Sequence, residues 1–595
     1  MPFPLLSATT ITSSPLSSKN PLRQPTKSTN STRSSPSLLR LPNTTTTISC
    51  EQKQVDNNGS HGIDRRNVLL GLGGLYSATT TMDKVASADG GPVQPPDLSL
   101  CILATDSQAD DEPVNCCPPY STSNVVDFVL PSNEPLRLRK PAHKLSPKEI
   151  ERYKVAIAKM KQLDPKDPWN FMQQATVHCT YCNGAFFQVN YPDKLLQVHG
   201  NWLFLPWHRY YLYFWERILA KLIGDDPTFA IPYWNWDSPE GMFIPSIYLD
   251  DTSPLYNDKR NHDHYKALMD FDYTITTPPF PNPRPNEYPE VINKNLKKIK
   301  NDLFSKDNLL KPDLFMGQPI SAGRETKEEP GRLESLHNLA HEWVGPEAKP
   351  NHDMGNFYTA AQDTLFFAHH GNVDRMWDIY KKKRGNKVEF NHPDFLDASF
   401  IFYDENRQVV KVKVSDCLNV EDLGYTYTPE VYSWQGIGQR NGNKQSDGKR
   451  KIQLVPVTEF GFQPQPLDEP IRALVPRPKT SRSKQEKEDE IEVLVVDNIQ
   501  FDPKIKIHFD VFVSKPIEGM ATLDYGKLAS SYSRLPHLHN KRFRHDGKAK
   551  LQIGITDLVE DIEAESSESV VVTLVPIVGY VSIGGVSIQL QPTDF

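Results

Sequence analysis

Apolar and polar positions alternate in different ways along this chain, and each way predicts a different kind of element. Ser146-Pro147 opens a run with Glu149 in its first turn, a capping-box arrangement, and Ile150, Tyr153, Ile157 and Met160 follow at helical spacing. A second helical stretch is predicted from Asn170 to about Gln188. LPWHRYYLYFWERILAKLIG, starting at Leu205, is apolar nearly all round, which predicts a helix at the centre of its domain. LESLHNLAHEW and DTLFFAHHGNVDRMW continue the helical period up to Trp377. Beyond it the pattern shortens, Asp394 to Asp404 and Val409 to Val414 read as strand-like, and the catalytic domain is expected to end at Leu423 to Tyr427. Glu490 to Val496, Ile505 to Val513, Lys548 to Ile555 and Ser569 to Leu574 alternate likewise, predicting a separate antiparallel sandwich or barrel.

The stretches between these periodic runs are read from composition. Residues 429–490 are rich in Pro and charge, and KTSRSKQEKEDE within them predicts a solvated, protease-sensitive linker. Residues 250–330, with a lysine-rich helix near Ile292 to Leu310, are expected to form a surface connection. FAIPYWNW, ending at Trp236, is expected to be core packing. The expected boundaries are 1–88 for targeting segments, 89–428 for a helical catalytic domain, 429–490 for the linker and 491–595 for a β-rich domain.

At 595 residues the chain is too long for one core. Its formal net charge of -7 argues against nucleic-acid binding, and no apolar run approaches a membrane span. The first 60 residues or so are rich in Ser, Thr and Pro with almost no acid before Glu51, the composition of an organelle transit peptide. Arg65-Arg66, the short apolar run Val68 to Tyr76 and Ala86-Ser87-Ala88 then make a twin-arginine export signal. Together they predict a plastid protein delivered to the thylakoid lumen, with a mature start near Asp89. An oxidising compartment suits the cysteines. Cys101, Cys116, Cys117 and Cys179 admit two bridges in three connectivities, and adjacent Cys116 and Cys117 are poorly placed to pair with each other.

Six of the 17 histidines fall into two triplets, His178, His199, His208 and His337, His341, His370. His337 and His341 are four apart, on one face of a helix. Imidazole suits copper, zinc, iron and nickel, but structural zinc usually carries thiolates and zinc hydrolases a carboxylate base. All-histidine triplets fit copper better.

VHCTYCNGAF, LQVHGNWLFLPWHRYY, FFAHHGNVDRMW, RPKTSRSKQEKEDEIEVLVV and HFDVFV resemble plant polyphenol oxidase, of the tyrosinase and catechol oxidase family, over nearly the whole chain. The resemblance implies a mainly α catalytic domain built on a four-helix bundle, holding a type-3 dicopper centre, and a C-terminal all-β domain that shields it. It implies two copper ions, one on each triplet, with His370 rather than His369 as ligand. It also implies a thioether between Cys182 and His199, disulfides Cys101–Cys117 and Cys116–Cys179, and a bulky ring, Phe357, over the copper pair. The implied activity is oxidation of catechols to o-quinones by O2, with possible hydroxylation of monophenols, from a latent proenzyme that an activating protease cuts in the linker; a form cut near Lys479–Glu490 is the test of that latency. A stretch near Tyr532 to His539 is expected to approach the copper entrance.

For hydroxylation of monophenols, the family assigns proton removal to a Glu-held water and an Asn. Asn338 and Glu334 occupy those places. Two residues, Ser335 and Leu336, separate Glu334 from His337, where the family usually has three, so the water-holding role is in question. Glu342 is expected to add negative charge near the cavity mouth. The alternative reading within the family is a specialised oxidase of a lignan- or chalcone-type metabolite. Outside it stand a dioxygen carrier like hemocyanin, a zinc hydrolase and a non-catalytic copper binder.

Overall fold

The structure is a computed structural model that describes residues 90–106, 112–118, 124–132, 134–182, 184–273, 284–327, 329–437, 454–456, 464–516, 525–536 and 548–593. The targeting segments and the predicted mature start lie outside the described residues.

Helices α1 (Pro147–Gln162), α2 (Phe171–Cys182), α3 (Phe204–Leu222), α7 (Arg332–Val344) and α8 (Thr364–Lys383) build the first core. The capping box of α1 forms as predicted, with Ser146 and Glu149 each accepting from the other's backbone N–H. The second predicted helix is shorter than the sequence suggests. It ends at Cys182, and Phe187–Gln188 instead form strand β5, paired with β6 (Tyr191–Leu195). Gly184, at φ +68°, turns the chain out of the helix.

α3 is buried along most of its length, including two charged residues that carry the domain's polar scaffold. Glu216 accepts from the Nε groups of Arg137 and Arg139, both at 2.9 Å, and from the Ile231 N–H at 3.0 Å. Arg209 pairs with Asp374 of α8, which also accepts from the Tyr425 hydroxyl at 2.6 Å. Burial pushes the Asp374 carboxyl up, but the facing Arg209 and Arg139 outweigh it and hold it below its ordinary value. Buried charges of this kind persist only when paired and hydrogen-bonded.

Short strands trim this core. β1 (Ala104–Asp106) pairs with β2 (Glu112–Val114), β4 (Arg137–Arg139) with β9 (Tyr425–Tyr427), and β3 (Val126–Asp127), β8 (Val409–Lys413) and β7 (Ser399–Tyr403) form a three-stranded sheet. A short helix, α9 (Pro393–Leu396), precedes β7. Residues 250–330 are more than a surface connection. They contain α4 (Pro289–Phe304), α5 (Lys306–Leu310) and α6 (Pro312–Met316), and α4 buries Leu296, Ile299 and Leu303. The helical unit also runs past residue 428, since Trp434 is buried and stacks on Phe304 with centroids 4.1 Å apart.

The C-terminal unit is two antiparallel-dominated sheets. One has the order β10 (Leu454–Pro456), β12 (Ile471–Pro476), β17 (Ser569–Val578), β14 (Ile507–Ser514), β15 (Lys527–Arg534). The other has β11 (Gln465–Pro466), β18 (Val581–Pro592), β13 (Glu490–Phe501), β16 (Lys548–Gly554). Two further helices, α10 (Lys484–Asp489) and α11 (Thr556–Asp561), complete it. The expected linker is therefore partly domain. β10, β11 and β12 lie in the sheets, and the polar run forms α10, capped by Ser483 and paired through Lys487 to Glu560 and Glu565. β15 and β18 have no counterpart in the predicted strand set. Ser530, Ser531 and Ser533 in the one and Gly584-Gly585 in the other mask their alternation.

Candidate dinuclear metal centre

Four helices and one loop bring the two histidine triplets together. α2 supplies His178, the loop before α3 supplies His199, α3 His208, α7 His337 and His341, and α8 His369 and His370. The ligand nitrogens of His178, His199 and His208 lie within 4.8 Å of one another, and so do those of His337, His341, His369 and His370. The two groups abut, with the rings of His208 and His370 stacked at 4.3 Å. All seven are buried.

Hydrogen bonds fix which nitrogen faces inward. The Nδ1 atoms of His178, His208, His337 and His341 lie 3.2, 2.8, 3.2 and 2.8 Å from the backbone carbonyls of Phe357, Phe204, Glu334 and Met354. A carbonyl only accepts, so Nδ1 carries the proton and Nε2 keeps its lone pair for a metal. His337 Nε2 and His341 Nε2 lie 3.1 and 3.3 Å from His370 Nε2, three inward nitrogens round one point. The Nε2 of His208 is buried with no protein partner, which suits a metal ligand.

His369 is oriented differently. Trp236 Nε1–H donates to its Nδ1 at 3.1 Å, so the neutral ring carries its proton on Nε2 and offers no lone pair there. FAIPYWNW thus does more than fill the core. Burial holds six of these imidazoles neutral, with His208 pushed down to about 3, His341 to about 4, and His178, His337, His369 and His370 well below their ordinary value. Neutral, converging, all-nitrogen donors fit a pair of borderline-soft transition-metal ions.

The remaining predicted residues lie around this centre. The Phe357 ring packs 4.5 Å from His199 and 6.3 Å from His178. Cys182 is buried and in neither disulfide. The bridges are Cys101–Cys117 and Cys116–Cys179, the second tying the N-terminal segment to the residue beside His178. Glu334 accepts from the Gly200 N–H at 2.8 Å. Asn338 Nδ2 donates to Ser533 O at 2.9 Å, and Glu342, buried rather than exposed at a mouth, accepts from the Ser533 hydroxyl at 2.6 Å. Ser533 belongs to β15, so a C-terminal strand lies directly on the helix of His337 and His341. Tyr532 is buried in the same strand, while residues 537–539 lie outside the described residues.

Three family profiles match the chain from residue 168 onward. The common central domain of tyrosinase matches residues 168–383, the polyphenol oxidase middle domain residues 389–437, and the chloroplastic polyphenol oxidase C-terminal domain residues 463–590. With the paired histidine groups, they make this a dicopper phenol oxidase of the tyrosinase class. Among its relatives, the chloroplastic polyphenol oxidase of Malus domestica is 42% identical over 596 residues, covering 96% of this chain and 97% of that one. The chloroplastic (+)-larreatricin hydroxylase of Larrea tridentata is 41% identical, with 91% and 92% covered. Latent apple tyrosinase superposes with a TM-score of 0.70 at 42% identity, over 79% of this chain and all of the other, and latent aurone synthase with 0.75 at 36%, over 85% and all. The chain belongs to the plant polyphenol oxidase family.

Proposed function

We propose that His178, His199 and His208 hold one copper and His337, His341 and His370 the other, and that the loaded enzyme converts catechols to o-quinones. The balanced reaction is two catechols and one O2 giving two o-quinones and two waters. The observation that carries the ligand assignment is the set of Nδ1-to-carbonyl hydrogen bonds, which leaves the inward nitrogens of His178, His208, His337 and His341 unprotonated, with His199 and His370 completing the two clusters. Copper, when bound, supplies the electron-transfer chemistry. The chain orients the imidazoles, excludes water and, through Phe357, offers an aromatic face against which a phenol ring stacks. A thioether between Cys182 and His199 would lock the one ligand that no helix carries. Intact-mass measurement on copper-loaded protein is expected to show the loss of two hydrogens, and an unchanged mass removes the crosslink.

Diphenol oxidation is the main activity in this reading, because Glu334 and Asn338 are both engaged by protein groups. A lignan- or chalcone-type substrate is the second reading, favoured by the likeness to larreatricin hydroxylase and aurone synthase. A panel of catechol, monophenol, lignan and chalcone substrates on the activated enzyme decides, and a lignan or chalcone turned over far faster than catechol replaces the first reading.

The C-terminal unit keeps the enzyme latent in this proposal, with β15 pressed on α7, and a protease releases it. β10 and β12 are strands of that unit, so an activating cut belongs between residues 437 and 454 rather than near Lys479–Glu490. Targeting through a plastid to the thylakoid lumen is proposed from the two N-terminal signals and from relatives named chloroplastic. N-terminal sequencing of the mature protein tests it, and retention of residues 1–60 overturns it. No helix among the described residues is long and apolar enough to cross a membrane.

A further inference from the structure

His199 sits in a loop between the end of β6 at Leu195 and the start of α3 at Phe204, so no ladder of backbone hydrogen bonds holds it. Side chains do much of that work, beside the backbone bonds from Glu329 N–H to Gly200 O at 3.2 Å and from Trp202 N–H to Gln318 O at 3.1 Å. Gln197 Oε1 accepts the His199 N–H at 2.9 Å, while its Nε2 donates to Cys182 O at 2.9 Å. Asn201 Nδ2 donates to His199 O at 2.9 Å. The next amide, Gly200 N–H, leaves the loop and donates to Glu334 Oε1 at 2.8 Å. Gly200 has φ +72°, a left-handed turn that glycine adopts without strain. Glu334 is only 3% exposed and stands in the first turn of α7, three residues before His337. Its carboxylate therefore joins the loop of one histidine triplet to the helix of the other.

We infer that Glu334 is a positioning residue whose carboxylate clamps the Gly200 amide and thereby fixes where His199 presents its ring. The inference rests on the reading that His199 holds copper. It departs from the water-holding role that the family resemblance implies for Glu334. Successive residues on a helix are rotated by about 100°. The two-residue spacing to His337 thus turns this carboxylate away from where a three-residue spacing would aim it. It meets the His199 loop there. Asn338, the other residue of the water-holding pair, donates to Ser533 O instead.

The test compares Glu334→Gln, which keeps an acceptor without the charge, with Glu334→Ala, which removes it. Two readouts are taken, copper per chain after loading and hydrogen exchange of the Gly200 amide in copper-free protein. Glu334→Gln is expected to resemble the parent in both. Glu334→Ala is expected to retain about one copper of two and to exchange Gly200 about tenfold faster or more. Should Glu334→Ala not fold, Glu334→Asp, with its carboxylate withdrawn by one methylene, carries the comparison. Full copper and a protected Gly200 amide in Glu334→Ala overturn the clamp. So does a Glu334→Gln variant that keeps copper and protection yet loses phenol turnover, which would make the residue a proton handler. If the parent binds no copper while Gly200 exchange still depends on residue 334, the clamp stands and the copper reading of His199 fails.

Discussion

His369 and His370 are neighbours in sequence, equally buried, and members of one cluster, yet their chemistry differs because of one indole. The Trp236 N–H fills the Nδ1 lone pair of His369, while the Nε2 of His370 meets those of His337 and His341. His370→Gln is expected to lower bound copper to about one per chain and abolish catechol turnover, while His369→Gln keeps two coppers. Elemental analysis of the loaded variants checks this, and the reverse pattern would exchange the two roles. Packing is as particular as ligation. The Phe367 ring lies flat on Trp215 at 3.5 Å, joining α8 to α3 beneath the histidines. Phe367→Ala removes a fully buried ring, at a cost of about 3–5 kcal/mol, so a fall in the thermal unfolding midpoint by several degrees is expected.

At the scale of elements, α7 and β15 matter most, because one carries two of the histidines and the other covers it. Ser533 reaches two side chains one helical turn apart, Asn338 and Glu342, while Arg332 donates to the Ser530 hydroxyl at 2.7 Å and Ser531 O at 3.0 Å. Lys298 of α4 adds a buried ion pair to Asp510 of β14 at 3.1 Å. Strand order decides what a protease can release. β12 lies between β10 and β17, so a cut inside the polar run after it leaves two strands threaded through the sheet. A chain cut at an engineered site between residues 479 and 490 is expected to stay latent, and one cut between 437 and 454 to gain catechol turnover once the C-terminal unit dissociates. Equal activity of the two cut forms would show that strand threading is irrelevant to latency.

Over the whole molecule, a second contact between the helical and β units lies on α5, away from the histidine helices. Asp307 of α5 accepts the Thr556 N–H at 2.7 Å, and Asp557 in return accepts the Lys306 N–H at 3.1 Å. Each unit thus caps the backbone of the other. Only glycine fits at residue 554, since a Cβ there would sit 2.3 Å from the Asp307 side chain. Burial, with the facing Asp557 next, pushes the Asp307 carboxyl up to about 7. Lys300, Lys306, Glu560 and Asp561 line the same cavity of about 330 Å³. A carboxyl that binds its proton more tightly docked than free makes docking strongest in acid. That contribution weakens as pH climbs from the ordinary carboxyl value to about 7 and is flat above it. In a chain cut between 437 and 454, the C-terminal unit is expected to dissociate more readily at pH 8 than at pH 5. Asp307→Asn is expected to flatten that dependence, and size-exclusion chromatography across the pH range measures both. An unchanged profile in Asp307→Asn would assign the dependence to other groups.

The sequence by itself determined the local chemistry. Helical period placed the histidines of α2, α3, α7 and α8 on helices, the Ser146–Glu149 cap started α1 where expected, and donor type pointed to a transition metal. Such features are short-range, set by neighbours three or four residues away. Tertiary structure alone decided the rest. The tautomer of His178 depends on the Phe357 carbonyl 179 residues away in sequence, and that of His369 on the Trp236 indole 133 residues away. The polar strand β15 finds partners for its serines on β14, α4 and α7, and α10, capped locally by Ser483, is tied to the domain by Lys487 and acids more than 70 residues on. Polar residues read as linker when taken along the chain. Brought against a partner, each hydrogen bond returns what burial would otherwise cost, and the same residues become domain.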